Sequence, residues 1–170
     1  WVLRDDTGKL MAVPDRKFTI PSALLGVYYA HENNSMVAAE TGFALLDGIF
    51  ENLLDQAMLE EDWVNRLSFL SRFGAAVAIE SSARSIESYA YGKEFDVVVS
   101  INREHTYHTI RARAGTGVDF TSVYEKLCQI EPEANWFFHQ SKKMLICGNK
   151  LTSGVPGSKL ALEEMVGLVR

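Results

Sequence analysis

Phe95-Asp96-Val97-Val98-Val99-Ser100-Ile101, then Asn102-Arg103-Glu104, then His105 to Arg113, is the stretch from which the fold is read. A β-branched run, a short polar turn and a second extended run predict two strands. Successive strand residues point to opposite faces, so Tyr107, Thr109, Arg111 and Arg113 share one side, while His108, Ile110 and Ala112 share the other. Downstream, Gly115-Thr116-Gly117 predicts a tight turn and Asp119 a cap for a helix carrying Val123, Tyr124 and Leu127. Met144 to Cys147 reads as a third strand, and Ser158 as the cap of a closing helix.

Upstream the pattern is helical. A hairpin is expected over residues 2–13, and Pro21 and Ser22 start a first helix. Asn33, Asn34 and Ser35 are caps for a longer one, whose positions Val37, Phe43, Leu46, Phe50 and Leu53 recur at helical spacing. Asp62 is expected to cap the next helix, through Leu67, Phe69 and Phe73, and the helical pattern resumes from Ala75 to Tyr91. The expected fold is α+β, a helical segment packed with a small mixed sheet flanked by helices. The expected division is a hairpin and helical region over 1–92 and an α+β substrate-binding-like domain over 93–170.

At 170 residues, 47% hydrophobic and 23% charged, the chain has the composition of a folded globular domain. No apolar run approaches the roughly 20 residues that span a bilayer, and without a basic-then-apolar pattern in the opening residues secretion is not expected. Cys128 and Cys147 sit in apolar surroundings and are read as buried, reduced thiols, which suits a cytoplasmic protein. The chain opens on Trp1 rather than Met, which we read as a part excised from something longer. Residues 1–90 hold 7 Lys/Arg against 13 Asp/Glu, and residues 91–170 hold 10 against 9. An anionic ligand would therefore prefer the second half, and the overall acidity disfavours a broad duplex-binding face.

Two constellations carry chemistry. Arg111 and Arg113 lie two positions apart, roughly 6.5 to 7 Å along one strand face, a separation at which two guanidinium groups can hold a phosphodiester. The same pair fits a solvated face on which each arginine is matched to an acid. The second is Asn135-Trp136-Phe137-Phe138-His139-Gln140-Ser141-Lys142-Lys143, where aromatics beside cations could stack a base and hold its phosphate, or could simply anchor a loop in the core. The histidines His31, His105, His108 and His139 show no metal-ligand spacing, and no nucleophilic triad or Walker-type loop is present.

The run from Phe95 to Val99, then Thr109-Ile110-Arg111-Ala112-Arg113, then Gly117-Val118-Asp119-Phe120 entering a helix, resembles the C-terminal accessory domain of the DHH phosphoesterase superfamily. The superfamily includes RecJ-like nucleases, oligoribonucleotide-degrading enzymes and exopolyphosphatases. The resemblance implies that Arg113 or Arg111 matches the family's phosphate-holding arginine and His139 its glycine-rich loop histidine, with Gly148 in the small-residue stretch that follows. The glycines before that histidine are here Trp136, Phe137 and Phe138. It further implies a substrate-binding portion, with Arg111, Arg113, His139, Ser141 and Lys142 gripping a phosphate-bearing small molecule, nucleotide, polyphosphate or short nucleic acid. No catalytic or metal-ligating residue is expected in this chain, and Mn²⁺ or Mg²⁺ would belong to a separate catalytic domain. Two alternatives stay open: a non-catalytic interaction domain that forms a homodimer through its long acidic helices, and a small-molecule sensor domain.

Overall fold

The computed structural model describes residues 19–102, 104–105, 107–148 and 157–170. The hairpin expected over residues 2–13 lies outside them. The chain divides into two compact units, with the boundary between Leu53 and Leu54.

The first unit contains helix α1 (Ile20–Ala30) and most of helix α2 (Ser35–Trp63). Thr19 caps α1 by accepting from the N–H of Ser22, and Pro21 occupies the first turn, where a missing N–H costs nothing. Asn34 opens α2, its Oδ1 accepting from the N–H groups of Met36 (3.0 Å) and Val37 (3.3 Å). Leu24 approaches α2 at Gly42, the absent Cβ of which would lie 3.7 Å away.

The second unit is a six-stranded mixed sheet with helices. Its strands are β1 (Leu67–Ser71), β2 (Gly74–Glu80), β3 (Val97–Ile101), β4 (His108–Ala112), β5 (Phe137–Phe138) and β6 (Met144–Cys147), in the order β1-β2-β3-β4-β6-β5. Only β2 and β3 are parallel, joined by helix α3 (Ile86–Gly92). The α+β class is therefore as expected, but the helix expected from Asp62 through Phe73 is not found beyond the end of α2, and of the one expected from Ala75 to Tyr91 only the last part, α3, is helical. Leu67–Ser71 and Gly74–Glu80 form an antiparallel hairpin closed by Ser71 opposite Gly74. β2 is buried on both faces, so its run Ala76-Val77-Ala78-Ile79 shows no alternation, and its alanines favour helix when read locally.

One sheet face packs on helix α4 (Thr121–Ile130) and helix α5 (Leu162–Val169), with Val99, Ile110, Leu145, Val123, Leu127 and Met165 at its centre. The other packs Val77, Ile79 and Val98 against Leu59 and Trp63 from the end of α2 and Ile86 and Ala90 from α3. The N-cap of α4 is Phe120 rather than the expected Asp119, which stands one residue earlier and accepts from Thr121 N at 2.8 Å. Ser158 does not cap α5. Its hydroxyl donates to Glu131 Oε2 at 2.6 Å, and Glu164 accepts instead from Ala161 N at 2.7 Å. Cys147 is buried as expected, but Cys128 is exposed, because α4 turns Val123 and Leu127 inward and Cys128, one residue on, outward. Among the described residues no helix is long and apolar enough to cross a membrane.

Candidate anion-binding face

Residues directly opposite one another in neighbouring strands share a face. Val98 of β3 stands opposite Arg111 of β4, which stands opposite Met144 of β6. Phe138 pairs with Leu145, and the next residue, His139, donates its backbone N–H to Met144 O at 3.0 Å. Arg111, Met144 and His139 thus form one row across three adjacent strands, on the face that α3 covers further along. With strands about 4.8 Å apart, Arg111 and His139 are about 10 Å apart at the backbone. Arg113 lies one pleat beyond Arg111, opposite Asp96, whose backbone oxygen accepts from Arg113 N at 2.8 Å.

Each arginine has an acid beside it. Arg113 Nη2 is 2.7 Å from Asp96 Oδ1. Arg111 Nε lies 3.2 Å from Glu87 Oε1 but outside hydrogen-bonding geometry, so this buried N–H remains unbonded. A guanidinium has five N–H donors, and one carboxylate oxygen leaves most of them for a ligand. Glu87 and Arg111 also bear on Tyr91, whose hydroxyl is pushed up to about 12 by burial first and by the charge of Glu87 second, with Arg111 opposing.

His139 and Ser141 form a local unit. Nδ1 of His139 accepts from Ser141 N at 3.1 Å and lies 2.7 Å from Ser141 Oγ. Because a backbone N–H can only donate, the neutral ring carries its proton on Nε2, which remains a donor. Lys142 closes the turn with φ 60° and places its ammonium 3.1 Å from Asp119 Oδ2. Hydrogen bonds from the Thr121 side chain and backbone, then from Lys142, hold the Asp119 carboxyl down to about 2. Lys143 donates to Thr116 O.

A pocket of about 140 Å³ opens beside Arg111, at the carboxyl ends of the parallel pair β2 and β3. Ser81, Glu87, Asn102 and Tyr107 line it with Arg84 and Arg111. Asn102 Oδ1 is occupied by the N–H groups of Glu104 (3.0 Å) and His105 (2.8 Å). Arg84 pairs with Asp55 at 3.5 Å, where Asp55 also accepts from Ser85.

The structure therefore brings Arg111, Arg113 and His139 onto one face and binds Ser141 to His139, while Lys142 is tied to Asp119. The aromatic platform is reduced to one ring: Trp136 is buried, and Phe138 stacks on Tyr124 at 4.9 Å, so Phe137 alone is exposed. Glu87, Asp96 and Asn102 do not stand out in the sequence. Asp96 had a usable signal, since the hairpin register sets it opposite Arg113, whereas Glu87 reaches Arg111 only through the crossover. Among the described residues no three His, Cys, Asp or Glu side chains converge as a metal centre requires. No family model, curated protein or solved structure matches the chain.

Proposed function

We propose that the unit beginning at Leu54 is the substrate-holding domain of a DHH-type phosphoesterase, gripping the phosphate of a phosphodiester, nucleotide or polyphosphate. The observation that carries this reading is the row formed by Arg111 and His139 across three adjacent strands, with Arg113 one pleat away. Guanidinium N–H groups and a neutral imidazole N–H are donors suited to phosphate oxygens. The pocket beside Arg111 adds neutral hydrogen-bonding groups for what the phosphate carries. The role is to hold and orient substrate, and hydrolysis belongs to a part of the parent protein outside these 170 residues.

The test is a thermal-shift titration with pyrophosphate, 5′-mononucleotides and dinucleotides on the wild type, Arg111→Ala and His139→Ala. A ligand at a hundredfold excess over Kd stabilises by about 2.7 kcal/mol, or about 5–10 °C for a chain of this size. We expect a saturable shift with at least one phosphate-bearing ligand, lost in both variants. No shift with any of them, or a shift that both variants retain, would overturn the reading.

A further inference from the structure

Helix α2 carries seven acidic residues and no Lys or Arg, yet one of its faces is apolar and, among the described residues, uncovered. Met36, Phe43, Leu46, Phe50 and Leu53 are each 49–67% exposed. This face differs from the one turned to α1, where Val37, Ala38, Thr41, Gly42 and Ile49 are half-buried. The spacing of the exposed set is specific. Met36, Phe43, Phe50 and Ala57 recur every seven residues, and Ala39, Leu46 and Leu53 fall three residues after the first three of these. An alternating three-four spacing held over three heptads is the seam of a two-helix coiled coil rather than the 3.6-residue stripe of a helix lying on a core.

We propose that α2 pairs in parallel with α2 of a second copy of this chain. The flanking positions admit a second copy in one orientation. In a parallel, in-register pair the flanking positions opposed across the seam are Ser35 with Glu40, Gly42 with Asp47, Ile49 with Leu54, and Gln56 with Glu61, where Gly42 and Ile49 stand on the border between the seam and the side turned to α1. None sets like charges together, and one is wholly apolar. In an antiparallel pair the acidic flank carrying Glu40, Asp47 and Glu61 would face its own copy, with like charges opposed. The area also suffices: five large side chains more than half or nearly half exposed supply about 500–600 Å² per chain, so a pair buries about 1,000–1,200 Å², at the lower edge of stable interfaces. Leu54, exposed at a flanking position of the same helix, extends it. Pairing through α2 is independent of the phosphate-holding role.

The test uses the full 170-residue chain in sedimentation equilibrium, with disulfide trapping in a Cys128→Ser background that removes the exposed native thiol. We expect a dimer with a dissociation constant of micromolar order or below, weakened at least about tenfold by Phe43→Glu. Oxidation should cross-link Met36→Cys to itself, because facing seam positions meet disulfide geometry, and should not cross-link Met36→Cys to Ala57→Cys. A chain that stays monomeric at about 100 μM, which a basic-flanked helix of another protein as the true occupant would produce, overturns the proposal. So does a dimer indifferent to Phe43→Glu, or one that cross-links only Met36→Cys with Ala57→Cys. Circular dichroism checks the fold, and Phe50→Ser, which removes apolar area without adding charge, replaces Phe43→Glu if that variant unfolds.

Discussion

Gly74→Ala perturbs the hairpin and the arginine row together. Gly74 has φ 118°, and a Cβ built there would lie 2.5 Å from Asp96 Oδ2. The backbone conformation alone costs an alanine about 1–3 kcal/mol. Asp96 must also swing away, which breaks its 2.7 Å pair with Arg113. Both partners are partly exposed, so that loss adds only about 0.5–1 kcal/mol. The sum is about 2–4 kcal/mol, or a fall in Tm of about 5–12 °C. The assay is thermal unfolding followed by circular dichroism for the wild type, Gly74→Ala, Asp96→Ala and the double variant. In the Asp96→Ala background the 2.5 Å approach to Oδ2 is removed and only the Cβ of residue 96, at 3.2 Å, still crowds the new methyl group, so Gly74→Ala should cost about 1 kcal/mol less there than in the wild type. A Tm for Gly74→Ala within about 1 °C of wild type would refute the strain argument. Equal costs in the two backgrounds would refute the clash.

Three further outcomes follow from the same geometry. Asp96→Asn removes the charge that competes for Arg113, so it should tighten binding of a phosphate-bearing ligand by about threefold to tenfold in calorimetric titration, whereas unchanged or weaker binding would show that Arg113 needs its carboxylate partner. The Asp119 carboxyl is lowered from 3.8 to about 2, so its stabilising effect is complete above 3.8 and disappears as the pH falls through about 2. The stability gap between wild type and Asp119→Asn should therefore close over that window, and a gap independent of pH would contradict the assignment. Glu131 is pulled below the ordinary carboxylate range although burial opposes this, because Ser158, the Lys159 N–H and Trp136 donate to it. Glu131→Ala removes all three and should cost about 2 kcal/mol, about 4–8 °C in Tm; a smaller change than about 2 °C would mean the segment after Gly157 is held by other groups, such as the His108–Leu160 bond at 3.0 Å.

What the sequence disclosed depended on how local the determining interactions were. β3, β4 and β6 were readable because their short apolar or β-branched runs are bounded by turns, and Asn34 because a cap acts within three residues. β1 and β2 were not, because a strand buried on both faces loses its alternation and Ala76, Ala78 and their neighbours favour helix when considered alone. Alternation placed Arg111 and Arg113 on one face, but their acidic partners are long-range. Asp96 arrives by strand pairing and Glu87 through α3, so neither spacing nor composition could show that both cations are already matched. The three aromatics before His139 looked alike in sequence. The two-residue strand β5 separates them, sending Phe138 onto Tyr124 and leaving Phe137 in solvent.

The central claim is that Arg111, Arg113 and His139 act together on one phosphate, and side-chain NMR tests it most directly. In a titration with a 5′-mononucleotide, the Nε–H signals of Arg111 and Arg113 and the Nε2–H signal of His139 should shift saturably with a single Kd. In Arg111→Ala the remaining two should no longer respond at that concentration. Signals that stay fixed while the ligand binds elsewhere, or that titrate with unrelated affinities, would contradict a shared anion-binding face.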